Sequence, residues 1–430
     1  MTIISTTGAS YPLLPTIQRA FPNVEFYTIQ DNIVQANAEG FCVQIHDGTK
    51  NNNVDLFVKC VEASKYSHKP WGDLRRTLLY SRTEARFYSD ILPLLKESSS
   101  SDWDIAPICY LAESNLDQLI GEEESAAAKP INENDDPKYD QDDTTILNGK
   151  GGSLILESLK DGFYQTSPLT LSQTRQCLKA IAKFHATAFG KKEILHQVST
   201  KLCEYGGSYH LKNRNQKELA KIRDTWDDLV NNIKEAAPED FFERERINMM
   251  GQRIYNVAEY VSIELSPNYE SEYATIVHGD LKAMNVFLPL DEDRTEPLLI
   301  DFASCGVGIG LSDVAMLITH AVHPNDLANG NEEKLVEDYI HDFENALPTS
   351  KQNVYSKETA FRHYRFATVD YFRFVLGRLW RGATLESFKK KKNSKNAVFV
   401  SRNIEAALAF IERADKYVTE IEKEMNENKN

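Results

Sequence analysis

Cysteine is scarce and scattered in this chain. Six occur in 430 residues (Cys42, Cys60, Cys109, Cys177, Cys203 and Cys305), with no CxxC pair and no histidine at metal-ligand spacing. That pattern excludes a disulfide framework and a zinc site, and reads as reduced core residues of a cytoplasmic protein. Long apolar runs are also missing. No uninterrupted stretch approaches the ~20 residues that span a bilayer, and residues 1–11 lack a basic segment followed by an apolar one, so no secretory signal is expected. Positive charge is in deficit, with a net charge of −15. Such a balance argues against an electrostatic grip on nucleic acid or an anionic membrane and is compatible with a cationic ligand. No internal repeat is visible, and nothing in the sequence identifies a protein partner.

What is present is a hydrophobic content of 41%, enough for a substantial core in one bilobal unit or two domains. Residues 24–30, 40–45, 56–61 and 105–111 carry the aromatic and β-branched content of strands. Asp47-Gly48 and Asn51-Asn52-Asn53 supply a turn between the second and third. Between the third and fourth, residues 74–95 have helical spacing, with Leu78, Ala85, Tyr88 and Leu92 recurring at threes and fours. Residues 115–152 hold ten acids against three bases, about half of the whole excess of negative charge. With so few apolar residues this stretch is expected to be a disordered, solvated insertion. A short buried strand follows at 153–159, and the remainder reads as mainly helical. Thr170 and Gln173 form a capping-box pattern ahead of Leu178, Ile181, Ala182, His185 and Ala188 on one helix face. The lysines Lys389 to Lys392 read as a solvated loop.

The most informative stretch is Thr275-Ile276-Val277-His278-Gly279-Asp280-Leu281-Lys282-Ala283-Met284-Asn285-Val286-Phe287-Leu288, followed after a short turn by Leu298-Leu299-Ile300-Asp301-Phe302. Asp280, Asn285 and Asp301 stand where two apolar strands run out into loops. A magnesium-dependent phosphoryl transferase needs that pattern: a carboxylate beside the acceptor hydroxyl, and an amide and a second carboxylate for the metal. We therefore expect Asp280 as base and Asn285 and Asp301 as metal ligands. Lys282 lies on the same side of an extended loop as Asp280 and is placed to reach the γ-phosphate. His278 reads as a loop brace, and His185 as a buried core histidine.

These phrases, together with Gly306 to Ala315, Leu154 to Leu159 and Ala180 to Ala186, resemble the aminoglycoside phosphotransferase and choline kinase superfamily. The resemblance is strongest to its ecdysteroid-kinase-like (CHK) branch and covers residues 24–413 outside the acidic stretch. It implies an α+β, bilobal, protein-kinase-like fold. A nucleotide-binding N-lobe with an antiparallel sheet would span 24–159, after an N-terminal extension at 1–23. A mainly helical, acceptor-binding C-lobe would span 160–425, with a frayed tail at 426–430. The resemblance also implies that Lys59 binds the α- and β-phosphates of ATP, that Glu84 pairs with it, and that backbone groups of Glu157 and Leu159 read adenine. Asp313 would anchor the catalytic loop.

The sequence departs from that family in places. A G-x-G-x-x-G loop is absent, the matching turn at 35–41 offering Gly40 and an acid, Glu39. Ala303 follows Asp301-Phe302, and Lys282 replaces the branch's usual aromatic residue. The interval to Ser312-Asp313 is too short for a protein-kinase activation segment. The expected function is ATP- and Mg2+-dependent phosphorylation of a hydroxyl on a small organic molecule. The alternative is a nucleotide-binding pseudokinase that acts as an interaction module.

Overall fold

The computed structural model describes residues 13–34, 38–47, 52–99, 104–120, 144–213, 216–291, 296–351 and 354–428. The N-terminal lobe is built on five antiparallel strands: β1 (Tyr27–Val34), β2 (Glu39–Asp47), β3 (Asn52–Glu62), β4 (Cys109–Ser114) and β5 (Gly151–Glu157). Their order is β1-β2-β3-β5-β4. In β3 the alternation of side chains sorts the two faces. Leu56, Val58 and Cys60 join Phe41, Val43 and Ile45 on the outer face, covered by Leu13 and Ile17 of helix α1 (Leu13–Ala20). Phe57, Lys59 and Val61 face the other way. Part of the expected N-terminal extension is therefore a lid on the outer sheet face. That inner face meets α2 (Trp71–Arg86), which continues through a wide π turn at Phe87–Ile91 into α3 (Leu92–Ser98).

The acidic stretch is ordered at both ends. Leu116 and the one-turn helix α4 (Asp117–Ile120) bury Leu116, Leu119 and Ile120 against Leu74, Leu78 and Leu79 of α2, together with Leu147 from the far end. Strand β5 starts at Gly151, and Gly151 and Gly152 pair with Glu62 and Val61. The expectation of disorder from 115 to 152 is thus corrected at 115–120 and 144–152, where apolar anchors outweigh the local charge; residues 121–143 lie outside the described residues.

After β5 the chain forms β6 (Phe163–Tyr164), then α5 (Leu171–Ala188) and α6 (Lys192–Lys201). Thr170 and Gln173 close the capping box on α5 as the sequence suggests, a device worth about 1 kcal/mol. Helices α7 (Gln216–Ala220), α8 (Ile222–Ile233), α9 (Glu245–Asn248) and α10 (Met250–Glu264) follow. The next strands are β7 (Thr275–Val277), β8 (Val286–Pro289), β9 (Leu298–Leu299) and β10 (Gly306–Gly308). They form two small sheets, β10-β7 and β6-β8-β9. The lobe is completed by α11 (Leu311–Ala321), α12 (Pro324–Leu327), α13 (Asn331–Ala346), α14 (Lys357–Phe374), α15 (Leu385–Lys391) and α16 (Ile404–Glu427). The Lys389–Lys391 part of the lysine run ends α15 as an exposed helical turn, because Phe388 buries and anchors it. The fold is α+β, with an antiparallel-sheet lobe and a mainly helical lobe. No helix among the described residues is long and apolar enough to cross a membrane.

Candidate functional site

The loop between β7 and β8 is held from below by one buried carboxylate. Asp313, in the first turn of α11, accepts from the backbone N–H of His278 (2.6 Å) and of Gly279 (2.9 Å). His185 of α5 supports it, with Nε2 3.1 Å from the same carboxylate and Nδ1 2.7 Å from the Tyr339 hydroxyl. Because the carboxylate accepts, Nε2 carries the proton and Nδ1 accepts from tyrosine. His278 braces the neighbouring strand: its Nε2 lies 2.9 Å from the Ile300 carbonyl, and its Nδ1 accepts from the Asp280 N–H at 3.2 Å. Gly279 adopts φ +78°, and a Cβ there would lie 2.2 Å from the Ser304 carbonyl oxygen. Only glycine fits this crossing of two backbones.

Above that support, the loop presents Asp280, Lys282 and Asn285. Asn285 is buried and donates its amide to the Asp280 carbonyl (2.8 Å) and to Asp280 Oδ2 (3.2 Å). Its carbonyl oxygen Oδ1 accepts nothing among the described residues. Lys282 Nζ lies 2.8 Å from Asp280 Oδ2, and Asp280 Oδ1 has no donor among the described residues. The Asp280 carboxylate raises the Lys282 pKa more than burial lowers it, so the ammonium is retained.

Asp301, two residues past β9, adopts the left-handed conformation, φ +65° and ψ +58°. For a residue other than glycine that costs about 1–2 kcal/mol, and such strain gathers where surroundings fix a functional group. Phe302, directly after it, supplies the fixing. Its ring stacks on Phe87 (3.8 Å between centroids) and lies 4.9 Å from His278, with Tyr88 and Phe184 closing the cluster. Phe87 opens the π turn that ends α2, so this aromatic stack joins the sheet lobe's helix to the loop.

Lys59 spans the cleft. Its Nζ lies 2.7 Å from Glu84 Oε2 on α2 and 3.2 Å from Asp301 Oδ1, a contact between residues 242 positions apart. Burial pushes the lysine pKa down, but Asp301 and Glu84 outweigh it and hold the ammonium above its ordinary range. Burial likewise pushes Asp301 up, and the Lys59 and Lys282 ammonium groups outweigh it, holding that carboxyl below its ordinary value. Strand β5, the neighbour of β3 in the sheet, ends at Glu157. Its carboxylate accepts from the Ile108 N–H through Oε1 (2.9 Å), and its own N–H donates to the Ile108 carbonyl (2.9 Å). The Leu159 carbonyl is used by Phe163 N–H (3.1 Å), whereas the Leu159 N–H has no acceptor among the described residues.

Of the eight residues singled out from the sequence, the structure joins Lys59, Glu84 and Asp301 by ion pairs and Asp280, Lys282 and Asn285 by hydrogen bonds, with Lys282 close enough to Asp301 to act on its charge; Glu157 and Leu159 stand at and just past the end of β5. The donor set also fits the groups expected there. Asn285 Oδ1 and Asp301 Oδ2 are bare oxygens of the hard-ligand type suited to magnesium, and Leu159 N–H is an unclaimed donor at the strand end. The phosphate-loop residues 35–37 lie outside the described residues; Glu39 pairs with Lys65 at 2.9 Å. Sequence reasoning missed the Phe87–Phe302 stack. The aromatics Tyr371, Phe372, Phe374 and Trp380 read in the sequence as mostly core, with one or two able to wall an acceptor pocket; Tyr371 is a buried tyrosine of α14 whose pKa is raised by burial and by Asp280.

The model of the ecdysteroid kinase-like family matches residues 43–351. No curated protein matches the chain. Among solved structures, an amicoumacin kinase in complex with AMP-PNP and Ca2+ is similar at 11% identity and a TM-score of 0.44, covering 94% of each chain. A Plasmodium vivax ethanolamine kinase is similar at 10% identity and 0.38, covering 91% of this chain and 81% of its own. An aminoglycoside phosphotransferase from Streptomyces rimosus is similar at 13% identity and 0.34, covering 84% and 98%.

Proposed function

The chain belongs to the ecdysteroid kinase-like family, and from that premise we propose that it transfers the γ-phosphoryl group of ATP to a hydroxyl of a small organic molecule. The observation that carries this reading is Lys59, which holds Glu84 at 2.7 Å and Asp301 at 3.2 Å. One ammonium thus ties the sheet lobe to the end of the Leu298-Leu299-Ile300-Asp301 segment, where triphosphate charge would need neutralising.

In this reading adenine lies against the end of β5, accepting from Leu159 N–H and donating to the Glu157 carbonyl. Lys59, fixed by Glu84, meets the α- and β-phosphates. Asn285 Oδ1 and Asp301 would hold Mg2+, whose charge offsets that of the phosphates. Lys282 reaches the γ-phosphate from its place beside Asp280. Asp280 Oδ1 receives the acceptor hydroxyl's hydrogen bond. It takes the proton as the acceptor oxygen bonds to phosphorus and the bond to the ADP oxygen breaks. Phosphoryl transfer asks little covalent work of a protein; positioning and charge neutralisation supply most of the acceleration. Four of the six cysteines are buried and none is in a disulfide, which suits a cytoplasmic setting.

The test is a transfer screen with γ-labelled ATP against pooled polar and apolar alcohols, with Asp280→Asn protein as blank. Label moving to an alcohol only with the native protein supports the reading. Equal transfer by both proteins, or by neither in any pool, overturns it.

A further inference from the structure

We propose that Asp117, at the root of the acidic stretch, is a positioning residue that sets the Lys59–Glu84 ion pair by clamping α2 from its other side. The clamp rests on the proposed kinase reading for its functional consequence, but its geometry stands without it. Arg82 and Arg86 are one helical repeat apart and share a stripe of α2. Both donate to the same oxygen of Asp117, Arg82 Nη1 at 2.8 Å and Arg86 Nη2 at 3.0 Å. Glu84 lies two residues from each, so at about 100° per residue it projects from the opposite side of the helix, where it meets Lys59 at 2.7 Å.

The Arg82 side chain is only 2% exposed, so its guanidinium depends on protein partners, and Asp117, whose own side chain is 44% exposed, reaches it from the helix surface. Asp117 in turn is held in place by its neighbours: Leu116, Leu119 and Ile120 pack under Leu74, Leu78 and Leu79 on the same helix. Turning α2 by one residue would carry Glu84 off Lys59 and both arginines off Asp117 together. Two sets of charge-assisted bonds on one rigid element therefore select one helix orientation, and loss of either weakens the other.

The experiment is a double-mutant cycle between Asp117→Asn and Glu84→Gln, read by Mg·ATP affinity and by hydrogen exchange of the α2 amides in ligand-free protein. We expect Asp117→Asn to weaken Mg·ATP binding about 5–20-fold and to speed exchange around residues 82–86, with a cooperative melt retained. Asp117→Glu should recover part of both. In the Glu84→Gln background the Asn substitution should add little to either readout. Losses that simply add would show that Asp117 acts on something other than the ion pair and would overturn the clamp, as would an Asn variant with native affinity and native exchange. If native protein binds no Mg·ATP, the kinase reading fails and the exchange cycle alone decides the clamp. If Asp117→Asn does not fold, Arg86→Gln replaces it with the same expected pattern, since Arg82 keeps its bond to Asp117.

Discussion

Asn285 donates its one amide group twice to Asp280, to the main-chain carbonyl at 2.8 Å and to the carboxylate at 3.2 Å. The five-residue loop is thereby closed on itself, and neither the Asn285 carbonyl oxygen nor Asp280 Oδ1 has a donor among the described residues. The proposed base and the amide oxygen proposed for the metal are thus held by the same two bonds, both made within the loop.

Replacing Asp280 by Asn keeps that closure, because the carbonyl bond survives and the shape is unchanged, but removes the proton acceptor. Turnover should fall about 10²–10⁴-fold while ATP affinity stays within a few-fold. Steady-state transfer kinetics beside direct nucleotide binding separate the two. Loss of binding in parallel with turnover would mean that Asp280 serves the nucleotide and not the acceptor.

Asp301 offers a cleaner test with Asn than with Ala, since asparagine tolerates the left-handed backbone that alanine resists. We expect Asp301→Asn to melt near the native temperature and to lose the magnesium dependence of nucleotide binding, by about 10–100-fold in metal affinity. Titrating Mg2+ at fixed nucleotide reads this directly. A native magnesium titration would remove Asp301 from the metal site.

The loop was legible because its three polar residues sit within one short span between apolar strands, a pattern that needs no knowledge of distant partners. Lys59 and Glu84 were not legible in this way. They lie 25 residues apart on different elements, and only a family likeness drew attention to them. The Arg82–Asp117 bond and the Phe87–Phe302 stack had no signal at all, since both arise from where α2 docks. Helix α1 was missed for a related reason. Eight residues are too few to be helical alone, and this helix exists because Leu13 and Ile17 cover the outer face of the sheet. The acidic stretch misled in the opposite direction, its charge masking the four apolar anchors Leu116, Leu119, Ile120 and Leu147.

Gly279→Ala should be among the most damaging single-methyl changes in the chain. The new Cβ would lie 2.2 Å from the Ser304 carbonyl oxygen and 2.4 Å from the Gly207 nitrogen, both backbone atoms, at φ +78°. Overpacking and backbone strain together predict a loss of roughly 2–5 kcal/mol. Urea unfolding measures it. A loss below ~0.5 kcal/mol would show that the loop shifts easily, against the rigid anchoring by Asp313.

Acid should unfold this protein partly through histidine. Burial pulls His210 and His363 from 6.5 down to about 4 and His320 to about 3. At His210, Asp370 opposes that shift, whereas Arg373 and Lys212 add to it. Its ring is committed to the neutral form: Nδ1 accepts from Lys212 N–H at 3.2 Å, so Nε2 carries the proton and faces Ser266 Oγ at 3.2 Å. In the unfolded chain these rings titrate near 6.5, so between about 4 and 6.5 the unfolded state binds more protons than the folded state. Stability from this source is therefore fully present above about pH 6.5 and declines as pH falls toward 4, by up to about 1.4 kcal/mol per pH unit for each ring. His210→Asn keeps an acceptor near the Nδ1 position and removes one titrating group. Unfolding free energies measured from about pH 4.5 to 7 should then fall less steeply, by close to one proton. An unchanged slope would mean that His210 takes up its proton in the folded protein over the same range, and would overturn this account of its ring.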